Sequence, residues 1–395
     1  MSIDINLPLS LYIHIPWCIK KCPYCDFNSH KKDSSKNDYS ETKYIDELIS
    51  DLTQKLPLIW GRKIKSIFIG GGTPSLFSPD SYEKLFSQIR NLLPFDSNIE
   101  ITLEANPGAV EHGNFAGYKE AGINRISLGV QSFSDLQLKK LGRVHLVDDV
   151  YRAVSEIKSA KMNSFNLDIM YGLPSQGVAE SIEDLKSAIS LGPDHLSWYQ
   201  LTIEPNTVFY RKKPVLPKDI DIITMEKLGR DLLAENNFVR YEISAYSKPG
   251  FECKHNINYW SFGDYLGIGA GAHGKLTDAN LGVIRRYRQY KMPGAYMNAE
   301  DKTVEYSELT IDDIIFEYFL NRFRLNKDID IRDFYLAIGL VGDLSDNLYK
   351  ELLDQKLKIA TDKGFINFNG YKISKTRLGQ DFLDDLISIF LVDSK

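Results

Sequence analysis

The first 250 residues alternate between short apolar runs and amphipathic stretches. Six runs rich in β-branched residues are predicted to be strands, near Leu11–Ile15, Ile64–Ile69, Ile99–Leu103, Arg125–Leu128, Phe165–Ile169 and Leu196–Leu201. Helical spacing of apolar residues follows most of them, at Tyr44–Leu56, Tyr82–Leu93, Asp148–Ser159, Ser181–Leu191 and Ile222–Leu233. A seventh strand is predicted at Phe238–Ile243. This alternation predicts an α/β fold with a parallel sheet, and six units favour a partial (β/α)6 TIM-like barrel over residues 1–290.

The pattern changes beyond about residue 300, where we predict a small C-terminal helical domain over residues 300–395. Apolar residues at helical spacing predict helices around Ile311–Phe319, at Leu348–Ile359 and at Gly379–Phe390. Two short apolar runs flank Asn369-Gly370, which is a strong signal for a β-hairpin turn. The domain is therefore expected to carry a hairpin and to look like a winged helix.

A winged-helix-like domain raises the question of DNA binding, which the charge argues against. Residues 301–395 contain 13 Lys and Arg against 18 Asp and Glu, and the whole chain has a formal net charge of −5. Nucleic-acid binding domains carry basic faces that neutralise phosphates. We expect no nucleic acid partner.

The ends of the chain and its cysteine content bear on the compartment. Residues 1–10 lack the basic and apolar regions of a signal peptide, and the apolar run Leu386–Val392 is too short to span a bilayer. Only four cysteines occur, and three of them fall within eight residues, which does not suit a disulfide scaffold. We expect a cytoplasmic protein without a transmembrane segment; peripheral contact with a membrane stays open.

The strongest chemical signal is the C-x3-C-x2-C loop formed by Cys18, Cys22 and Cys25, directly after the first predicted strand. Three thiolates can ligate three irons of a [4Fe–4S] cluster and leave the fourth iron open to another ligand. A structural zinc site is the main alternative, and it needs a fourth protein ligand, for which Asp26 or a nearby histidine would have to serve. Unligated thiols are the other alternative. The spacing favours the cluster.

Polar or glycine-rich residues follow the ends of several predicted strands. They are the run Gly70-Gly71-Gly72-Thr73-Pro74, Glu104, Gln131 and Asp168. The active site of a βα barrel lies at this edge, so these residues are expected to meet there. Each also has a structural alternative: a tight turn for the glycines, a helix cap or barrel salt bridge for the carboxylates, and a surface position for the glutamine.

Three further residues are weaker candidates. Tyr12 and His14 share one face of the first strand, because side chains alternate along a strand, and both are predicted to point toward the site. A buried structural histidine is an equal alternative for His14. Arg143 is an ordinary surface side chain in its alternative interpretation.

Five motifs together resemble one known family. They are Tyr12-Ile-His-Ile-Pro-Trp-Cys18, the triple-glycine Thr-Pro run, Leu103-Glu-Ala-Asn-Pro107, Arg125-Ile-Ser-Leu-Gly-Val-Gln-Ser-Phe133 and Asp168-Ile-Met-Tyr-Gly-Leu-Pro174. The chain is similar to the oxygen-independent coproporphyrinogen III oxidase-like family of radical S-adenosylmethionine (SAM) proteins, from about residue 9 to its C-terminus. The resemblance implies a radical SAM barrel in which SAM binds the open iron of the cluster.

Within that family the sequence resembles the haem chaperone branch rather than the oxidases. The oxidases continue their cysteine loop as C-x-C, whereas Phe27 stands at that position here. They also carry a longer N-terminal extension, whereas 17 residues precede Cys18. The run His255-Asn-Ile-Asn-Tyr-Trp260 is similar to the haem-binding motif proposed for the chaperone branch.

The resemblance also implies roles for individual residues. Tyr12, Gly71 and Glu104 match positions that contact the SAM on the cluster. A second set matches positions that touch a second SAM in the oxidases: Tyr24, Gly72, Thr73, Gln131, Arg143 and Asp168. Whether a chaperone uses one SAM or two is left open.

His255 is the candidate haem ligand, since a neutral imidazole is a common axial ligand of haem iron. Tyr259 or Trp260 would then stack on the porphyrin. The alternative is a polar loop that its two aromatic residues anchor to the barrel. Cys253 is expected to be inert.

The expected function is that of a haem chaperone with three cofactors, a [4Fe–4S] cluster, SAM and haem. It would pass haem to acceptor haemoproteins such as respiratory cytochromes and take electrons from a reductant protein. The alternative is an enzyme that decarboxylates coproporphyrinogen III oxidatively. A third possibility is that SAM cleavage survives only as a step that gates haem release.

Overall fold

The structure is a computed structural model, which describes residues 8–32, 39–59, 61–108, 114–278, 281–339 and 347–391. Twelve strands of this described part form one sheet. Its centre consists of six strands that are parallel to one another: β1 Leu9–Ile15, β2 Ile64–Gly71, β3 Phe95–Ala105, β4 Arg125–Gln131, β5 Ser164–Tyr171 and β6 His195–Gln200. All six predicted βα strands are present, so the predicted partial α/β barrel is confirmed.

Helices follow the parallel strands, as the apolar spacing predicts. In the barrel region they are α1 Glu41–Ile59, α2 Pro79–Leu92, α3 Phe115–Ala121, α4 Asp135–Lys140, α5 Val147–Ser159, α6 Val178–Ser190, α7 Val208–Arg211, α8 Asp219–Glu235, α9 Lys254–Trp260 and α10 Pro293–Asn298. The five predicted helices correspond to α1, α2, α5, α6 and α8. The short helices α3, α4, α7, α9 and α10 are additions that the sequence pattern did not indicate.

Six more strands extend the sheet at both edges. They are β7 Val239–Arg240, β8 Ala245–Ser247, β9 Asp264–Ile268, β10 His273–Asp278, β11 Val283–Gln289 and β12 Thr303–Glu308. The predicted strand at Phe238–Ile243 is wrong as a seventh parallel unit, since β7 is a two-residue edge strand paired antiparallel with β8. The seventh parallel strand is β9, which pairs with β1.

The two faces of β1 show how the barrel is stabilised. Leu9, Leu11, Ile13 and Ile15 are buried in the main apolar core, together with Leu48 and Leu52 of α1. The intervening residues line the barrel interior, where Ser10 hydrogen-bonds to Ser66 of β2 at 2.7 Å. Each apolar side chain of this size contributes about 1.5–3 kcal/mol on full burial, so the outer face anchors the strand and leaves the inner face free for polar residues.

Strand β9 is fixed by a buried ion cluster around Asp264. The carboxylate accepts hydrogen bonds from Arg62 at 2.8 Å and Lys275 at 3.2 Å, and from the backbone and hydroxyl of Thr277. These partners hold the pKa of Asp264 below its ordinary value, against the effect of burial. The strand next to β1 therefore depends on residues that are far apart in the sequence.

The C-terminal part has a second apolar core. It contains α11 Ile311–Arg322, α12 Ile331–Gly339, α13 Asn347–Asp362, α14 Arg377–Asp381 and α15 Leu383–Ser388, with β13 Ile329–Asp330, β14 Ile366–Phe368 and β15 Lys372–Lys375. The predicted hairpin is β14–β15, where Gly370 has a positive φ of 95°. The predicted last helix is two short helices. No helix within the described ranges is long and apolar enough to cross a membrane.

Candidate radical SAM site

The carboxyl ends of β1 to β5 surround one cavity that brings most predicted site residues together. Among its lining residues are Cys18, Cys22, Tyr24, Cys25, Gly71, Gly72, Thr73, Glu104, Gln131, Arg143 and Asp168. Tyr12, His14, Gly70 and His255 are predicted residues that do not line it. The expectation that the active site of a βα barrel lies at the carboxyl ends of its strands thus located the cavity correctly from the sequence.

The cysteine loop follows β1, and its two ends run side by side. Its base is closed by a short parallel pair, Trp17–Cys18 with His30–Lys31, and the N–H of Cys25 donates to the carbonyl of Cys22 at 3.2 Å. Burial raises the pKa of both Cys18 and Cys25. These thiols therefore keep their protons until a metal centre displaces them, which is the usual coupling between metal binding and thiol ionisation.

The geometry of the three thiols bears on the zinc alternative. Within the described ranges, no group of three or more His, Cys, Asp or Glu is arranged around a single metal position. A zinc ion needs its ligands about 2.3 Å away on all sides, whereas a cubane cluster takes one thiolate at each of three separate irons. Cys18, Cys22 and Cys25 line one cavity and, within the described residues, form no single-metal site.

Glu104 is half-buried, and its carboxyl group faces the cavity. Its Oε2 accepts a hydrogen bond from the backbone N–H of Gly71 at 3.1 Å. Burial, reinforced by the nearby Asp168, raises the pKa of Glu104 to about 8. None of the ion pairs in the described part of the chain involves this group. A cationic ligand group such as the amine of SAM would supply the missing positive charge, so the residues present fit that cofactor.

Tyr12 and His14 form a relay behind the glycine run. The Tyr12 hydroxyl lies 2.9 Å from Nδ1 of His14, and Nε2 of the same ring lies 2.8 Å from the carbonyl oxygen of Asn28. Because a carbonyl only accepts, Nε2 carries the proton and Nδ1 accepts from Tyr12. Burial lowers the pKa of His14 to about 4, so the ring is neutral at pH 7. Neither Tyr12 nor His14 lines the cavity directly.

Gln131 has a left-handed backbone, with φ at 71°, at the irregular end of β4. Such a conformation is uncommon for a residue other than glycine and is enriched at functional sites. Its Oε1 accepts a hydrogen bond from the Tyr199 hydroxyl at 2.9 Å. The strained backbone directs this side chain into the cavity.

Arg143 connects the cavity wall to the cysteine loop. Its guanidinium donates to the carbonyl of Gly129 at 2.8 Å, to the side chain of Asn106, and to Sγ of Cys22 at 3.8 Å. Asn106 in turn donates to the hydroxyl of Thr73 at 3.0 Å. A fixed positive charge therefore stands beside one of the three predicted cluster ligands.

Asp168 lies within β5, three residues before the end of the strand. It accepts hydrogen bonds from Asn166 at 2.8 Å and from Ser127 at 3.3 Å. Burial raises its pKa, although these hydrogen bonds act in the opposite direction. Like Glu104, this carboxyl lines the cavity, where a hydrogen-bond donor or cation of a bound cofactor would stabilise its ionised form.

His255 is separate from this cavity, on α9 at the opposite end of the barrel. Only 7% of the residue is exposed, and Nδ1 lies 3.3 Å from the hydroxyl of Ser66. The ring packs against Phe68 at 5.2 Å between centroids. Burial lowers the pKa of His255 to about 3, so the imidazole is neutral and its nitrogen chemistry suits metal ligation. The alternative interpretation of this segment as a polar loop is wrong in its conformation, since the segment forms helix α9.

The neighbours of His255 are engaged with the protein. Tyr259 packs on Tyr265 at 4.8 Å, and the guanidinium of Arg324 lies 4.3 Å from the Trp260 ring. Cys253 is buried, its thiol donates to Glu100 at 3.5 Å, and burial raises its pKa to about 12. These properties agree with an inert Cys253.

Several cavity residues were missed from the sequence. Asn106 lines the cavity and lies in the motif Leu103-Glu-Ala-Asn-Pro107, two residues after Glu104. Ser127 and Tyr199 line the cavity as well. Tyr199 stands near the end of a correctly predicted strand, so the rule that found Gln131 could have found it.

Known proteins were compared with this chain. The sequence signature of the radical SAM superfamily matches residues 12–188. The chain is 47% identical to the haem chaperone HemW of Haemophilus influenzae over 390 residues, which covers 98% of both chains. It is 44% identical to haem chaperone HemW of Escherichia coli, covering 98% of this chain and 99% of the relative.

Among solved structures, coproporphyrinogen III oxidase (HemN) of Escherichia coli, a radical SAM enzyme, superposes with a TM-score of 0.80. The match covers 98% of this chain and 90% of the oxidase at 22% identity, which demonstrates a shared fold. Sequence identity to the chaperones is about twice as high over the same extent. The chain therefore belongs to the HemW family of the radical SAM superfamily.

Proposed function

We propose that this protein is a haem chaperone that binds haem and transfers it to acceptor haemoproteins, respiratory cytochromes among them. The observation that carries the proposal is the 44–47% identity to haem chaperones over 98% of the chain. The protein would work in the cytoplasm, where its four free cysteines stay reduced.

The cofactor site would be built at the barrel mouth. Cys18, Cys22 and Cys25 would hold a [4Fe–4S] cluster, and Glu104 with the Gly71 backbone would receive SAM. When bound, the reduced cluster supplies an electron that can cleave SAM. The protein's own contribution is to shield the thiols partly from water, to place the Arg143 charge beside Cys22 and to keep a neutral His14 behind the glycines.

The second set of residues would contact a further SAM molecule only if the cavity takes two. Tyr24, Gly72, Thr73, Gln131, Arg143 and Asp168 all line it. Arg143 already has hydrogen-bond partners in the described conformation. We therefore assign the set to the walls of one cofactor cavity, and a reductant protein would deliver electrons at its mouth.

Haem ligation is assigned to His255, whose neutral imidazole is suited to haem iron. Because this ring is buried between β2 and α9, ligation requires haem to reach it as α9 moves outward. Helix α9 has seven residues and is held at both ends. Glu100 accepts from the backbone N–H groups of Lys254 at 3.2 Å and His255 at 3.3 Å. Asn258 donates to Ser10 at 2.8 Å and to the Asp264 carbonyl at 2.9 Å.

The deciding experiment for chaperone against enzyme uses anaerobically reconstituted protein with coproporphyrinogen III, SAM and a reductant. We expect no conversion to protoporphyrinogen, together with transfer of bound haem to an apo-cytochrome. Conversion of the porphyrinogen at a useful rate would overturn the chaperone proposal in favour of the decarboxylating enzyme. Haem transfer that needs reductive cleavage of SAM would instead identify SAM cleavage as the gate for release.

A haem titration tests the ligand. His255→Ala should weaken haem binding and shift the Soret band, whereas Lys254→Ala, on the same helix with an exposed side chain, should leave both unchanged. An unaltered spectrum in His255→Ala removes this histidine from the haem site.

A further inference from the structure

We propose that Asn28 is a positioning residue, which fastens the cysteine loop to the turn between β9 and β10 and so holds the three thiols in place for the cluster. The inference rests on the proposed cluster at Cys18, Cys22 and Cys25. Asn28 comes three residues after Cys25 and is not itself a ligand candidate.

The side chain of Asn28 joins segments that are far apart in the sequence. Its Nδ2 donates to the carbonyl oxygens of Ala270 and Lys291, both at 2.9 Å. Its Oδ1 lies 3.2 Å from Nε2 of His30. Both hydrogens of the amide and its oxygen are therefore engaged, which fixes the orientation of the side chain.

The backbone of Asn28 is held as well. Its carbonyl oxygen accepts the proton of His14 Nε2 at 2.8 Å, so the loop is connected to β1 from inside the barrel. At the base of the loop, the N–H of Lys32 donates to the carbonyl of Cys18 at 2.8 Å. Cys18 carries one of these attachments, and Cys22 and Cys25 lie between them, so the positions of the thiols depend on where residue 28 is held.

The receiving turn is shaped for this side chain. Gly271 has a positive φ of 81°, and a Cβ at that position would stand 2.3 Å from Nδ2 of Asn28. The N–H of Gly271 donates to the carbonyl of Tyr290 at 2.7 Å, which keeps the turn closed. The contact is thus specified from both sides: an amide on the loop and an absent side chain on the turn.

Two substitutions disturb the same contact from opposite sides. Asn28→Asp keeps the shape but replaces the NH2 group with an oxygen that faces two carbonyl oxygens. Gly271→Ala keeps the amide and takes the space that it occupies. A matched control is Gln54→Ala, because the Gln54 amide also bridges distant segments, donating to the Glu300 carbonyl at 2.7 Å, but lies outside the cavity lining.

The first measurement uses metal-free full-length protein and follows alkylation of each cysteine by iodoacetamide with mass spectrometry. In Asn28→Asp and Gly271→Ala, the three loop thiols should react about tenfold faster, which corresponds to the loss of one or two ordinary hydrogen bonds. The buried Cys253 serves as the internal reference and should keep its rate. Gln54→Ala should match the wild type.

The second measurement uses reconstituted protein and follows iron release to a chelator and the electron paramagnetic resonance spectrum of the reduced cluster. Both variants should release iron faster and show an altered spectrum. Unchanged loop-thiol rates overturn the proposal, and so does an equal acceleration at Cys253, because the effect would then be general unfolding. Wild-type protein that takes up no iron would refute the proposed cluster, while the alkylation result would still decide the role of Asn28.

Discussion

The ring of His14 occupies the space that a side chain on Gly71 would need. A Cβ at residue 71 would stand 2.6 Å from Cε1 of His14, and the glycine has a positive φ of 117°. The same glycine donates its N–H to Glu104 at 3.1 Å. The absence of a side chain at residue 71 therefore leaves room for His14 on one side and lets the backbone N–H reach Glu104 on the other.

Gly71→Ala should consequently displace His14 and disturb the hydrogen bond from residue 71 to Glu104. We expect a loss of about 1–3 kcal/mol in the free energy of unfolding from backbone strain and displacement of His14, and a SAM affinity reduced at least tenfold. Urea denaturation and calorimetric titration with SAM measure these effects. Gly61→Ala is the control, because Gly61 also has a positive φ, 78°, but no atom within 4 Å of its Cβ position. Equal effects in both variants would mean that strain alone, and not the His14 contact, is responsible.

Single Ser replacements of Cys18, Cys22 and Cys25 should abolish most iron and sulfide uptake, since each thiolate is assigned to a different iron. Cys253→Ser should retain both, because that thiol is buried against Glu100 at the other end of the barrel. Iron and sulfide analysis with visible absorption after anaerobic reconstitution checks this. A complete cluster in all three loop variants would refute the ligand assignment.

SAM binding should release a proton at pH 7. The pKa of Glu104 is raised to about 8, so about nine-tenths of this carboxyl is protonated at pH 7, and a nearby ammonium group would lower the pKa and expel the proton. Calorimetric titrations in two buffers with different ionisation enthalpies count the protons. In Glu104→Gln the release should fall toward zero; an undiminished release would assign the proton to another group.

The same shift predicts a pH dependence of stability. A raised carboxyl pKa means that the native state holds its proton more tightly than the unfolded chain does, so stability is lost as pH rises from the ordinary value of 4.5 through about 8. Glu104→Gln should remove part of this decline. Chemical denaturation of cofactor-free protein at pH 5 and pH 8 tests it, and parallel curves for wild type and variant would contradict it.

The ion cluster at Asp264 should dominate the stability of β9. Lys275→Ala leaves the buried carboxylate with one fewer cation, and we expect a loss of about 3–5 kcal/mol. Lys84→Ala removes an ion pair with Asp46 whose two side chains are both exposed, and should cost below about 1 kcal/mol. Urea denaturation of both variants makes the comparison, and similar losses would argue against the role given to burial.

The parts of the fold that were predicted are those with local signals. Strand β2 carries a clear β-branched signal in Ile64, Ile67 and Ile69, and its predicted bounds almost match the observed ones. Strand β9 was missed, because Asp264 and Gly267 interrupt its pattern and the groups that stabilise it, Arg62 and Lys275, come from distant parts of the sequence. Local periodicity does not contain that information.

The candidate site shows the same division. Cys18, Glu104 and Asp168 were found because spacing and strand ends indicate them. The position of His255 could not be found in this way: its helix is held by Asn258, whose partners are Ser10 and the Asp264 carbonyl. A motif identifies a candidate ligand, but the burial of that ligand depends on tertiary contacts.

Strand β11 carries a consequence for how the chain can be divided. Ile284 packs into the C-terminal apolar core, whereas Tyr287, three residues further on and so on the opposite face of the strand, packs into the barrel core. Phe262 also belongs to the C-terminal core although it precedes β9. Cutting the chain after residue 290 would expose Phe262 and Ile284 to water, so an excised barrel would tend to aggregate. Both halves of the intact chain should therefore unfold in one calorimetric transition.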